Sequence, residues 1–219
     1  MNKLAFIAAG TLVAGLASAQ VLLSDGFETG LGGWTIGAGD PFFQDIFSSS
    51  SGAASAGLVG LPTVNTSTMD SGVMVNTGIA GGVSMTFMHN RNFETNFDGG
   101  QLYVNINNGG WTLVAETDMT GDVYNSTIST AWSSPIGGQR AWSNNSQGWL
   151  AVTANLTAIG AGDSFQVRFL AAHDSSVNNA GNDWNIDDVV VRATPVPEPA
   201  TMTILGLGAL AAAARRRRK

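Results

Sequence analysis

Between residues 20 and 194 apolar and polar positions alternate in short runs. Val83, Met85 and Phe87 are separated by Ser84, Thr86 and Met88, and Leu102, Val104 and Ile106 by Tyr103 and Asn105. Phe165, Val167 and Phe169 flank Gln166 and Arg168, and Ile186, Asp188 and Val190 interleave with Asp187, Val189 and Val191. A period of two sends successive side chains to opposite faces of a strand, so each run predicts one buried and one wetted face. Asn107-Asn108-Gly109-Gly110 lies between two such runs, and Asn-Gly steps favour tight hairpin turns. A hairpin joining 101–106 to 111–116 is therefore expected. No amphipathic helical pattern interrupts the series, residues 48–57 read as a loop, and many short strands predict an all-β antiparallel sandwich.

The two ends break this rhythm. Lys3, the apolar stretch 4–16 and the small residues Ala17-Ser18-Ala19 form the charged, apolar and cleavage regions of a secretory signal peptide. Its apolar core would be a signal helix. At the far end, Pro197-Glu198-Pro199 precedes an apolar run, 200–214, and a basic stop of Arg215, Arg216, Arg217, Arg218 and Lys219. As a helix that run spans roughly 22 Å at about 1.5 Å per residue, short of a hydrocarbon core of about 30 Å. It predicts a short transmembrane helix that anchors transiently in the inner membrane, its basic end held on the cytoplasmic side. Three parts follow: 1–19 signal peptide, 20–194 sandwich, 195–219 tail.

The tail resembles the PEP-CTERM sorting signal of bacteria that make extracellular polysaccharide. That resemblance implies processing by an exosortase near the Pro-Glu-Pro and delivery to the cell surface or extracellular matrix.

Charge narrows what the middle can do. Fifteen carboxylates and four arginines, with no lysine, give residues 20–194 a net charge of −11. Such a surface disfavours nucleic acid and suits cations or neutral partners. The absence of cysteine excludes disulfides and thiolate chemistry.

Three segments resemble, in order, the MAM-like jelly rolls of the concanavalin A-like superfamily, including the sandwich attached to immune inhibitor A peptidases. They are Asp25-Gly26-Phe27-Glu28 with Gly33-Trp34; Asp98-Gly99-Gly100-Gln101-Leu102-Tyr103-Val104 with Gly109-Gly110-Trp111; and Phe165 to Phe169 with Asp174 and Asp183-Trp184-Asn185-Ile186-Asp187-Asp188-Val189. The cysteines of animal MAM domains are missing. The resemblance implies a two-sheet jelly roll, usually a non-catalytic accessory module, with its first and last strands adjacent. That adjacency would bring Asp25 and Glu28 towards Asp187 and Asp188, and hard oxygen ligands suit Ca²⁺. Either a structural calcium clips the two ends together, or Asp187 is solvated and Asp188 bonds backbone amides or Arg192. Glu94, Asp98 and Asp183 read as solvated loop acids.

Signals for catalysis are weak. Glu116 and Asp118 share a strand face by spacing, but residue 121 is Gly where jelly-roll glycosidases carry a further Glu. His89 continues the Val83 face as a satisfied histidine, His173 begins a loop, and neither has metal-ligand spacing. Indoles stack on sugar rings and amides bond hydroxyls. Trp111, Trp149 and Trp184 adjoin strand patterns and read as core, which leaves Trp132 and Trp142 as glycan-binding candidates. The expectation is an exported, non-catalytic surface or matrix protein associated with exopolysaccharide. The alternative is a module attached to polysaccharide or peptide hydrolysis.

Overall fold

The computed structural model describes residues 19–77, 82–176, 179, 181–193, 206–208 and 215. The strands in chain order are β1 (Gln20–Asp25), β2 (Trp34–Ile36), β3 (Phe42–Asp45), β4 (Ser55–Val59), β5 (Asn65–Ser71), β6 (Met74–Val75), β7 (Val83–Arg91) and β8 (Gly99–Ile106). They continue as β9 (Trp111–Leu113), β10 (Met119–Gly121), β11 (Ser126–Thr127), β12 (Arg140–Ala141), β13 (Leu150–Leu156), β14 (Ser164–His173) and β15 (Asn182–Ala193). All pairings among them are antiparallel. One sheet runs β10-β13-β7-β15-β4-β3 with β1 also on β15; the other runs β2-β5-β14-β8-β9 with β6 also on β14. The protein is an all-β antiparallel jelly-roll sandwich.

The period-two runs become the inner faces. Val83, Met85, Phe87, His89 and Arg91 of β7 are buried, and Phe165, Val167, Phe169, Ala171 and His173 of β14 are buried too. Burying a large apolar side chain contributes about 1.5–3 kcal/mol, so these faces supply most of the driving force. Between them lies a chain of rings: Trp34 on Phe169, Phe169 on Phe87 and Trp184, and Phe87 on Trp142. Edge-to-face and tilted rings at these separations are favoured over face-to-face stacking by the ring quadrupole. Space for the indoles comes from glycine. A Cβ on Gly100 would lie 2.8 Å from a ring carbon of Trp184, which explains why the strand opens with two glycines.

β15 is the seam of the molecule. One edge pairs with β7 along its length. The other edge pairs first with β4, from Asn182 to Ile186, and then with β1, from Val189 to Ala193. The expected adjacency of first and last strands is present, with Asp25 opposite Val189. Where the partner changes, the register slips and Asp188 adopts φ 51°. This bulge adds one residue and inverts the inward phase. Trp184 and Ile186 point inward before it, whereas Val189, Val191 and Ala193 are buried after it and Val190 is half-buried. The alternation expected for Ile186, Asp188 and Val190 is thus interrupted.

Other expectations are adjusted locally. The hairpin turn forms at Asn107 and Asn108, both at positive φ, closed by the Gly109 amide on the Ile106 carbonyl at 2.9 Å. Its second strand ends at Leu113, and Glu116–Asp118 is a 3₁₀ turn, so those two acids do not share a strand face. Glu116 instead receives Arg140 Nε at 2.8 Å. The loop expected over 48–57 ends earlier, because Ser55, Ala56 and Gly57 belong to β4.

Residues 19–194 form one compact unit and the termini another. Of the terminal unit, Gly206, Leu207, Gly208 and Arg215 are helical. Residues 1–18 of the expected signal peptide, Pro197, Glu198, Pro199 and Arg216 to Lys219 lie outside the described residues. No helix among the described residues is long and apolar enough to cross a membrane.

Candidate functional site

Three of the four acids singled out in the sequence, Glu28, Asp187 and Asp188, bond one loop, and Asp25 bonds elsewhere. Asp187 Oδ2 accepts the amides of Ser50 and Ser51 at 2.8 and 3.2 Å, and its Oδ1 accepts the Asp188 amide. Glu28 accepts the Ala53 amide through both oxygens, at 3.0 and 3.1 Å. Asp25 accepts the Phe27 amide and Trp34 Nε1, and Asp188 accepts Ser51 Oγ at 2.6 Å. The strand junction leaves this loop without a ladder partner, and side-chain carboxylates take over that task. Asp187 is fully buried and Asp188 half-exposed, the reverse of the sequence expectation for the pair. Burial pushes the Asp187 carboxyl above its ordinary range, opposed by the amides it accepts. Among the described residues, the groups of three ligand-type side chains within 4.8 Å of one another lie elsewhere.

The two tryptophan candidates separate completely. Trp142 is buried, with its Nε1 on the Asp122 carbonyl at 3.0 Å and its backbone bonded in both directions to Gly100. It therefore has no face to offer a ligand, and the glycan-binding expectation for it is corrected. Trp142 follows the two-residue β12 at an isolated bridge to Gly100, so no alternation in the sequence marks it as core. Trp132 is 61% exposed and holds φ 63°, ψ 16°, followed by Ser133 at φ 64°. Left-handed backbone costs a bulky L-residue roughly 1–2 kcal/mol. Two bonds fasten its loop: the Ser175 amide on the Trp132 carbonyl at 3.2 Å and the Ser129 amide on the Asn96 carbonyl at 2.7 Å.

A polar cleft of about 400 Å³ opens near the ends of β7 and β15. Asn90, Arg91, Asn92, Asn145, Gln147 and Asn185 are among its lining residues. Arg91 brings little net charge there, since its guanidinium bonds Asp122. The amides are oriented by neighbours: Asn145 Nδ2 donates to Asn92 Oδ1 at 2.9 Å, and Asn185 Nδ2 to Asp45 Oδ2 at 2.8 Å. An array of neutral donors and acceptors is suited to hydroxyl groups.

A third feature went unread in the sequence as a site. Asp98 precedes β8, His173 ends β14, Asp174 follows it, and Asp183 lies at the bulged start of β15. All four are at most 1% exposed. Ligand atoms of Asp98, His173 and Asp183 lie within 4.8 Å of one another, as do those of Glu94, Asp98 and Asp174. His173 is the buried last residue of β14, not the opening of a loop. Its Nε2 is 3.1 Å from Asp183 Oδ2, and its Nδ1 is 3.0 Å from Asn65 Oδ1. Asp98 Oδ1 accepts the Asp174 amide at 2.7 Å. Asp98 Oδ2, Asp174 Oδ2 and Asp183 Oδ1 are buried without a hydrogen-bond partner. Burial, above all, pushes the Asp98 carboxyl up to about 7, with Asp174 and Asp183 adding to it and the Asp174 amide and His173 opposing.

Residues 195–218 match the family described as the PEP-CTERM protein-sorting motif. Among solved structures, the chain is similar to the CBM22-1 xylan-binding domain of Paenibacillus barcinonensis Xyn10C, at 14% identity and a TM-score of 0.51. The match covers 83% of this chain and 99% of that one. It is also similar to the CBM22-1-CBM22-2 tandem of the same enzyme, at 15% identity and a TM-score of 0.50, over 85% of this chain and 50% of that one. These likenesses establish the fold. No curated protein matches the chain in sequence.

Proposed function

We propose that the chain is an exported surface protein, sorted by an exosortase through its tail, whose sandwich binds extracellular polysaccharide without catalysing its turnover. The observation that carries this reading is Trp132, a broad indole left in water on strained backbone. Strain of that kind persists where the surroundings over-determine it, and it gathers at ligand clamps. An indole face stacks on the apolar face of a sugar ring, while the amides of the polar cleft suit hydroxyls. The sorting motif supports a destination among surface polymers. The solved xylan-binding module of like architecture shows that such a sandwich is used for polysaccharide in another protein. The ordered motifs that resemble MAM-like domains suit the same non-catalytic role.

Affinity electrophoresis of the full chain against a panel of neutral and acidic polysaccharides tests this. Binding by at least one polymer is expected, weakened about fivefold to tenfold in Trp132→Ala, as loss of one aromatic contact worth about 1–1.5 kcal/mol implies. Asn145→Ala in the cleft should weaken it as well. Unchanged retention in both variants, or turnover of the polymer by wild-type protein, would overturn the reading.

A further inference from the structure

We infer that Asp98, His173 and Asp183 are the ligands of one divalent cation, held between the two sheets at the end of β8, β14 and β15. The argument begins with the imidazole. Asn65 spends its amide nitrogen on Ser67 Oγ at 3.3 Å, so its Oδ1 faces His173 Nδ1, which must carry the hydrogen. A neutral ring then turns the lone pair of Nε2 onto Asp183 Oδ2, 3.1 Å away. Two lone pairs at that distance repel, so something positive belongs between them. A proton on Nε2 would relieve that single contact. It would leave Asp98 Oδ2, Asp183 Oδ1 and Asp174 Oδ2 without donors in a dry interior, where an unpaired carboxylate is strongly disfavoured.

Among the described residues of the sandwich, no side-chain cation bonds these carboxylate oxygens. The sandwich has no lysine, and Arg91, Arg140 and Arg168 are engaged by Asp122, Glu116 and Asp70. Arg192 lies opposite Ser84 and Val21, at the other end of β15 from Asp183. A bound divalent ion meets the needs of His173 Nε2, Asp98 and Asp183 together, and its charge offsets that of Asp174 beside Asp98. Orientation of a histidine through its far nitrogen by an amide or carboxylate oxygen is the usual support for a ligating imidazole. One nitrogen with two carboxylates suits Mn²⁺ or Zn²⁺ better than Ca²⁺, which prefers oxygen throughout.

The site is also tied to the glycan-binding candidate. The turn that carries Asp98 and the segment that follows His173 are bonded to the Trp132 loop, through Asn96 and through Ser175. Cation binding therefore fixes the loop on which Trp132 stands.

Calorimetric titration of the full chain, stripped with chelator and then given Mn²⁺, Zn²⁺ or Ca²⁺ separately, tests the assignment. One equivalent should bind, with Mn²⁺ or Zn²⁺ at least tenfold tighter than Ca²⁺, and Tm should rise by about 5–10 °C at a hundredfold excess over Kd. Indole fluorescence should change on binding, and less so in Trp132→Phe. Asp98→Asn and Asp183→Asn, each checked for folding by circular dichroism, should lose the equivalent, whereas Glu28→Gln should keep it. The inference is overturned if none of the three ions binds, if binding survives in a folded Asp98→Asn or Asp183→Asn, or if Glu28→Gln abolishes it.

Discussion

His89 shows how a polar residue is made tolerable in an aromatic core. Trp184 Nε1 donates to its Nδ1 at 3.1 Å, which assigns the remaining hydrogen to Nε2, and that hydrogen is donated to Asp122 Oδ2 at 2.8 Å. Phe87 and Trp142 close on the ring from the sides, and Arg91 joins the same carboxylate. Burial lowers the His89 pKa below 6.5, aided by the Arg91 charge and opposed by Asp122. Asp122 is itself held low by His89 and Arg91, against the effect of burial, and stays ionised through this range. A depressed folded-state pKa means that the unfolded chain takes up the proton first. The stability conferred by a neutral His89 is therefore complete above about pH 6.5 and is lost as pH falls towards the lower folded value. Thermal melts between pH 5 and 8 should show Tm falling below that point, and falling less steeply in His89→Gln. Parallel slopes for the two proteins would refute the assignment.

At the scale of the element, the bulge in β15 decides which acids do what. Just before it, Asp187 sits on the face opposite Ile186, covered by the Ser50–Ser51 loop, and three backbone amides are bonded by its one side chain. Asp187→Ala leaves these amides without their acceptor and should cost about 1–3 kcal/mol. Hydrogen exchange should localise the loss, with faster exchange at Ser50 and Ser51 and little change in β7. The same element shows where sequence pattern stops being informative. The run from Val83 to His89 is legible because β7 itself carries no extra residue and pairs with β13 in one unbroken register, so alternation maps directly onto burial. In β15 the partner strand changes midway, and the extra residue at Asp188 resets the phase without any mark in composition. Trp142 carries no signature of burial in the sequence, because the two-residue β12 it follows has no period to read. The cluster of Asp98, His173, Asp174 and Asp183 was invisible for a different reason. Its members lie in or beside β8, β14 and β15, in two sheets, and each looks like an ordinary polar residue near a turn until topology joins them.

For the whole molecule, the sandwich and the termini obey different solvents. The sandwich buries its aromatic chain between sheets and carries a net charge of −11 over residues 20–194, which favours solubility in water. The tail concentrates apolar residues and five consecutive cations, a composition suited to a membrane boundary and not to a β-core. As a helix the apolar run would reach roughly 22 Å, at about 1.5 Å per residue, short of a hydrocarbon core of about 30 Å, a length that suits a transient stage of handling better than permanent anchorage. Intact mass of the protein recovered from the cell surface or medium should therefore lack residues 1–19 and everything beyond the Pro-Glu-Pro. In a host without exosortase, the tail should remain and the protein should stay with the membrane fraction. Replacing Pro197, Glu198 and Pro199 with alanine should reproduce that retention while leaving the β-sheet circular dichroism unchanged, because sorting and folding draw on separate segments. Release of an unprocessed chain to the exterior would show that the tail is not the address.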